Sequence, residues 1–323
     1  MRAIHVSEAG GPEVLTVTTV DTPEPGDGQV RLDVAAAGVN FIDTYHRSGL
    51  YEMDYPFTPG VECAGVVSAL GAGVADLSIG DRVAIVGTMG SYAESFIVPA
   101  DRCVLVPDGV ELDVAAAAML QAMTAHYLVT DTYPLRPGDS CLIHAGAGGT
   151  GNLAIQMAKQ AGATVFTTVS TQAKADIAAA AGADHVINYA DDDFVAEIRK
   201  ITGTDRPLDV VFDGVGASVF DENMSLLRKR GLMATFGNAS GAVPPVAPLD
   251  LMKAGSIFLT RPTLFDYIET REELLARAND IFDRIAADTI EVRIGGRYSL
   301  EEAGQAHEDL QGRKTTGKLL IIP

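Results

Sequence analysis

The stretch "SCLIHAGAGGTGNLAIQMAKQAGA", Ser140 to Ala163, decides how this chain is read. An apolar run, Cys141 to Ile143, leads into four glycines within the eight residues His144 to Gly151. An amphipathic segment follows, with Leu153, Ile155 and Met157 among its apolar positions. The pattern Gly146-x-Gly148-x-x-Gly151 between a strand and a helix is a dinucleotide-binding fingerprint, a reading its flanks make far more specific than the glycines alone. Without Cβ atoms the backbone admits a pyrophosphate closely. The helix opening near Thr150 turns unpaired N–H groups and its positive dipole end toward those oxygens. Gly146, Gly148, Gly149, Thr150 and Gly151 are therefore the expected phosphate cradle.

The same rhythm continues downstream. "TVFTTVS", "HVINY", "DVVFDGV", "LMATFG" and "SIFLT" read as strands, with "TQAKADIAAAAGA", "DDDFVAEIRKIT" and "FDENMSLLRKR" as helices between them. Strands rich in β-branched residues, separated by such helices, predict right-handed βαβ units and a doubly wound parallel sheet over residues 124–264. Residues 1–123 are patterned differently, with short alternating strands such as "QVRLDVAAAGV" and "GDRVAIVG" broken by turn clusters such as "TPEPGDG". They predict a β-rich domain. A final segment, 265–323, carries a helix, "TREELLARANDIFDRIAA", and the strand "KLLIIP", and is expected to return to that first domain.

Cofactor choice is read at the end of the second strand. A free ribose 2′-hydroxyl is usually met there by Asp or Glu, but here "VSTQAK" has no carboxylate before Asp176. Ser170 and Thr171 offer hydrogen bonds and Lys174 a positive charge, which suits a 2′-phosphate and favours NADPH over NADH. Tyr189, ending "VINY", closes the same pocket or is a plain rim aromatic.

The net charge of −19 in 323 residues repels nucleic acid and anionic lipid. No run in the sequence reads as the ~18 apolar residues of a membrane span, and the amino terminus lacks a signal-peptide core. Cys63, Cys103 and Cys141 are too scattered for a disulfide framework or a structural zinc site, which points to a reducing cytoplasm.

With these residues in hand, the chain resembles the zinc-independent quinone oxidoreductases of the medium-chain dehydrogenase/reductase superfamily. The resemblance spans essentially the whole length. It rests on "GGPEVL", "GVNFIDTYHRSGLY", "PGVECAGVV", "GDRV", the glycine loop, "RGLMATFGNASGAV" and "TGKLLIIP". It implies an α/β protein in which a Rossmann domain is inserted into a GroES-like catalytic domain. It also implies NADPH-dependent reduction of quinones at the interdomain cleft and a homodimer joined through the nucleotide-binding domains. Zinc members place Cys in the segment that reads "GVNFID" here, and His-Glu where this chain has Val61-Glu62. Neither Asn40 nor Val61 can act as thiolate or imidazole ligand, so a metal-free enzyme is expected.

Without a Lewis acid the substrate must already be electrophilic, as a conjugated quinone is. In "NFIDTYHRSGLY", Asn40 offers an amide to a carbonyl or to the cofactor, the alternative being a turn cap. Tyr45 and Tyr51 could donate to a developing oxyanion, stack on a quinone, or be ordinary rim aromatics. His46 reads as a surface residue beside Arg47. The resemblance adds Thr124 near the nicotinamide, and the loop Phe236, Gly237, Asn238 and Ser240 against the nicotinamide half. Arg313, in the basic turn "GRKTTGK", either reaches the cofactor phosphates or lies in solvent. The competing enzymatic reading is reduction of a C=C bond in an enone or enoyl thioester, with Tyr51 as proton donor. A structural role of the lens-crystallin kind is a further alternative, against which the intact cofactor loop speaks.

Overall fold

The computed structural model describes all residues, Met1 to Pro323. The chain divides into two units, one formed by Met1–Met123 with Ile268–Pro323 and the other by Thr124–Tyr267.

The first unit contains β1 (Arg2–His5), β2 (Thr16–Thr19), β3 (Gln29–Val39), α1 (Phe41–Ser48), β4 (Glu62–Leu70), β5 (Arg82–Val86), β6 (Ser95–Pro99) and β7 (Val104–Leu105). Helix α2 (Leu112–Tyr127) runs across the boundary between the units.

The second unit alternates strictly: β8 (Ser140–His144), α3 (Gly149–Gln160), β9 (Thr164–Val169), α4 (Gln172–Ala180), β10 (His185–Asn188), α5 (Phe194–Thr202), β11 (Leu208–Asp213), α6 (Phe220–Leu226), β12 (Leu227–Thr235), α7 (Pro248–Lys253) and β13 (Phe258–Thr260). The chain then supplies α8 (Arg271–Ala286), β14 (Ile294–Ser299), α9 (Ala303–Gln311) and β15 (Lys318–Ile322) to the first unit.

In the second unit all strand pairings are parallel, in the order β10-β9-β8-β11-β12-β13. That is the doubly wound order, with its switch point between β8 and β11, where ligands of this architecture gather at the carboxyl ends of the strands. Leu142, Phe166, Ile187, Val211 and Met233 from the strands pack with Phe194, Ile198 and Leu226 from α5 and α6. Such strands, covered on their faces by helices, must be apolar nearly throughout, which is why they read as continuous β-branched runs.

The sheet of the first unit runs β14-β15-β3-β4-β5-β7, with β6 also on β3, and is antiparallel except for β14 with β15. Val30, Leu32, Val67, Ile85, Val98, Leu319 and Ile321 form its core. The GroES-like and doubly wound classes expected from sequence are thus both present.

Three expectations need correction. The helix over Phe220–Arg230 stops at Leu226, and Leu227–Arg230 already belong to β12. Arg230 there takes a left-handed φ of 60°, incompatible with a continuing helix. A stretch of membrane-spanning length and hydropathy does exist within Leu112–Thr132, but 67% of its 18-residue apolar window is buried within the protein, as in a core helix. His46 and Arg47, expected at the surface, are 9% and 2% exposed, because α1 turns both inward.

Candidate functional site

The dinucleotide loop begins where β8 ends. Ala145 adopts a left-handed φ of 56° and its carbonyl accepts Gly148 N at 2.8 Å, turning the chain sharply into α3. A Cβ on Gly151 would stand 2.5 Å from Ala145 O, and one on Gly146 would stand 2.3 Å from Thr167 Oγ1. Neither position tolerates a side chain. Gly148 is the N-cap of α3, so Gly149, Thr150 and Gly151 form its first turn, where backbone N–H groups lack helical acceptors. This cradle fits a pyrophosphate.

At the end of β9, Ser170 and Lys174 come together, with Lys174 Nζ 3.5 Å from Ser170 Oγ. Thr171 caps α4 by accepting Lys174 N at 3.3 Å. Tyr189 follows β10 directly and is 44% exposed. A hydroxyl and an ammonium at the end of β9, with an open phenol after the neighbouring β10, have the chemistry to hold a 2′-phosphate.

Beyond β12, residues 236–241 are zipped to the loop after β11. Ser240 N and Oγ both donate to Val215 O (2.7 and 2.8 Å), Ala239 N donates to Gly214 O, and Ala217 N donates to Gly241 O. Gly237 must be glycine because a Cβ would stand 2.4 Å from Gly214 O. Phe236, Gly237 and Asn238 remain partly accessible on this paired loop, whereas the Ser240 hydroxyl is already engaged. Thr124 is 7% exposed. Arg313 sits in solvent with a left-handed φ of 56°.

In the first unit the sequence-derived residues cluster around α1. Asn40 is its N-cap; Asn40 N donates to Asp43 Oδ2 at 2.8 Å, and Gly49 ends the helix with φ of 77°. The Asn40 side chain turns away from the helix. Its Nδ2 donates to Glu62 Oε1 (2.6 Å) and its Oδ1 accepts Lys318 Nζ (2.7 Å). Gln121 Nε2 also donates to Asn40 Oδ1 at 3.4 Å, and Asn40 Nδ2 donates to Gly38 O at 3.4 Å. Glu62 Oε2 accepts Leu120 N at 2.6 Å, and Lys318 Nζ bonds directly to Glu62 Oε1. Tyr45 and Tyr51 lie edge to face with ring centres 5.4 Å apart, and His46 stands against Tyr51 at 5.8 Å. Tyr51 is 38% exposed, so its phenol can meet a ligand. Burial lowers the pKa of His46.

A second chain of buried polar groups adjoins these. Tyr92 Oη donates to Asp43 Oδ2 (3.2 Å) and also meets His307 Nε2 (3.2 Å), while Arg47 Nη1 lies 3.1 Å from His307 Nδ1. Burial pushes Asp43 up to about 7, and burial followed by the Arg47 charge pushes His307 down to about 3.

Sequence reading missed Lys318, His307 and Tyr92 as members of this network. Lys318 stood in the basic turn "GRKTTGK" yet is 1% exposed. Sequence carries one faint sign of the pair: Gly38, where a Cβ would stand 2.2 Å from Glu62 Oε1 and 2.6 Å from Lys318 Cε.

A doubly wound dinucleotide unit joined to a GroES-like β unit defines a medium-chain dehydrogenase/reductase. Residues 26–108 match the alcohol dehydrogenase GroES-like domain, and residues 149–283 match the family described as zinc-binding dehydrogenase. The chain is 42% identical to the quinone oxidoreductase of Salmonella typhimurium, over 99% of each chain. It is 39% identical to the 2-haloacrylate reductase of a Burkholderia species, over 99% of this chain and 98% of that one. The crystal structure of Escherichia coli quinone oxidoreductase complexed with NADPH superposes with a TM-score of 0.97 at 40% identity, covering all of both chains. This chain belongs to the quinone oxidoreductase family of that superfamily.

Proposed function

We propose that this protein reduces quinones with NADPH and without a metal ion. The observation that carries the reading is the Ser170–Lys174 pair at the end of β9, beside a glycine loop built for a pyrophosphate. The relatives named as quinone oxidoreductases support the substrate class, and the E. coli structure supports the cofactor. Gly146, Gly148, Gly149, Thr150 and Gly151 bind the pyrophosphate in this scheme. Ser170, Thr171, Lys174 and Tyr189 bind the 2′-phosphate side. Thr124, Phe236, Gly237 and Asn238 flank the nicotinamide, Ser240 shapes their loop, and Arg313 approaches the phosphates from solvent.

The nicotinamide supplies the hydride when bound. The protein then has to hold an electrophilic ring and stabilise the oxyanion that forms. Tyr51, with Tyr45 packed against it, presents a phenol able to donate a proton or stack on the ring. The Asn40 amide, 3% exposed and bonded to Glu62 and Lys318, is spent inside the protein and steadies the start of α1 rather than meeting the ring. Both oxygens of Glu62 are occupied by Lys318, Asn40 and Leu120 N, so this carboxylate is no free metal ligand, and no three His, Cys, Asp or Glu side chains converge elsewhere. Such a site polarises nothing by Lewis acidity, which suits quinones better than simple aldehydes.

We further propose a homodimer formed through the nucleotide-binding unit. Its short edge strand β13 exposes Phe258 (60%), and Leu249 (61%) and Met252 (58%) stand exposed on the nearby α7. Three free, buried cysteines suit a reducing cytoplasm.

The Burkholderia relative favours a second reading, reduction of an activated C=C bond. NADPH oxidation with 1,4-benzoquinone, simple enones and crotonyl thioesters as acceptors separates the two. Preference for benzoquinone is expected; strong enone turnover abolished by Tyr51→Phe would establish the second reading instead.

A further inference from the structure

Beneath the dinucleotide loops, four strands of the second unit end in polar residues that lie in one row. Thr168 closes β9 near its end, His144 ends β8, Asp213 ends β11 and Thr235 ends β12. His144 is the register partner of Thr168, and Asp213 that of Thr235. The β8–β11 ladder ends at Ile143 opposite Phe212, which sets His144 beside Asp213 one residue on. Register partners in parallel strands project from the same face. All four are buried, and so is Asn223, reaching in from α6.

The row is only partly closed by protein. His144 Nδ1 meets Thr168 Oγ1 at 2.8 Å and His144 Nε2 meets Asn223 Oδ1 at 2.7 Å. Asp213 Oδ1 accepts Val215 N (2.7 Å) and Gly216 N (3.0 Å). Asp213 Oδ2, Asn223 Nδ2 and Thr235 Oγ1 have no protein partner although each is buried. Buried polar atoms left without a partner forfeit the hydrogen bonds they made to water, so three of them in one unit's core call for one. They comprise an acceptor, a donor and a hydroxyl that can be either. The carboxylate excludes an anion, and a single carboxylate is too little for a divalent cation. An uncharged molecule that donates and accepts fits, and internal waters typically make about three such bonds.

We propose that Asp213, Asn223 and Thr235 bind one internal water molecule, and that the row so completed sets the relative positions of the loops that hold the dinucleotide. The water donates to Asp213 Oδ2, accepts from Asn223 Nδ2 and exchanges a third bond with Thr235 Oγ1. The strands of the row lead into residues 145–151, 170–174 and 236–241, which carry the proposed cofactor contacts, and into 214–219, which is bonded to 236–241. Asp213 is the hub, since its other oxygen holds the 214–219 loop, itself zipped to 236–241. Asp213 and Thr235 are thus positioning residues for cofactor binding. This positioning role rests on the dinucleotide reading, not on the identity of the acceptor.

The test has two arms. A crystal structure of the full chain, at a resolution that orders internal water, is expected to show one density peak about 2.7–3.2 Å from all three atoms. No peak there, or the three atoms bonded to protein groups, overturns the water site. In the second arm, Thr235→Val removes one partner. The dissociation constant for NADPH, followed by cofactor fluorescence well below the melting temperature, should rise roughly ten-fold. KM for NADPH should rise more than kcat falls, and Thr235→Ser should restore both. A merely structural role lowers the melting temperature and leaves the dissociation constant unmoved, which would refute positioning. Because the fluorescence readout needs no acceptor, it stands even if quinones prove to be the wrong substrate.

Discussion

Lys318 Nζ pairs with Glu62 Oε1 in the interior of the first unit, the two side chains being 1% and 0% exposed. The residues lie 256 positions apart in the chain. Burial lowers the lysine pKa, while the Glu62 charge and hydrogen bond oppose that shift, so the pair is held together by mutual need. Removing one member of such a pair strands a charge and typically costs about 3–5 kcal/mol, whereas removing both costs far less. Lys318→Met should therefore lose several kcal/mol in urea unfolding. The double variant Glu62→Gln with Lys318→Met should recover most of it. Equal losses in the two proteins would show that the ion pair contributes little beyond its packing.

Asp43 gives the first unit a pH dependence of definite sign. Its folded pKa of about 7 lies above the ordinary carboxylate value of 3.8, chiefly through burial, so the folded state retains a proton that the unfolded state has lost. Stability from this group is full at acid pH and declines as pH rises from about 4 through 7. Asp43→Asn keeps an acceptor for Asn40 N and removes the titration. Relative to the wild type, the variant should gain about 2–3 kcal/mol between pH 5 and pH 8. His307, pushed down to about 3, favours folding in the opposite direction between about 3 and 6.5, but it is common to both proteins and cancels in the difference. A constant gap between the two proteins across that range would remove Asp43 as the titrating group.

At the end of β9, Lys174→Glu places a carboxylate beside Ser170. KM for NADPH should rise on the order of ten-fold or more while KM for NADH changes little or falls. Steady-state kinetics with both cofactors decide the matter, and equal effects would mean that Lys174 does not read the 2′-phosphate.

Prolonged dialysis against a strong chelator should leave both activity and the melting temperature unchanged, because Glu62 is spent on Lys318, Asn40 and Leu120 N. Loss of turnover restored by zinc would overturn the metal-free reading.

Much of this architecture is encoded locally in the chain. Strand-helix alternation after Ser140 determined the parallel sheet, because buried parallel strands need β-branched runs and each crossover needs a helix. The glycine spacing located a turn that only glycine allows, since at Gly146 and Gly151 a Cβ would meet side-chain and backbone atoms. "VSTQAK" supplied the proposed reading of the 2′-phosphate within a few residues. Only the tertiary structure decided what lies beneath these features. Lys318 reaches Glu62 because β15 pairs with β3 at Leu319 and Val39, and β3 pairs with β4 at Ala37 and Cys63. Those registers bring Lys318, Asn40 and Glu62 to neighbouring strand ends. The same holds for Thr168, His144, Asp213 and Thr235, one residue from each of four strands. Residue type and spacing reveal local hydrogen bonding and periodic burial. Which buried charge meets which is settled by long-range strand register, and for that "TGKLLIIP" by itself gives no sign.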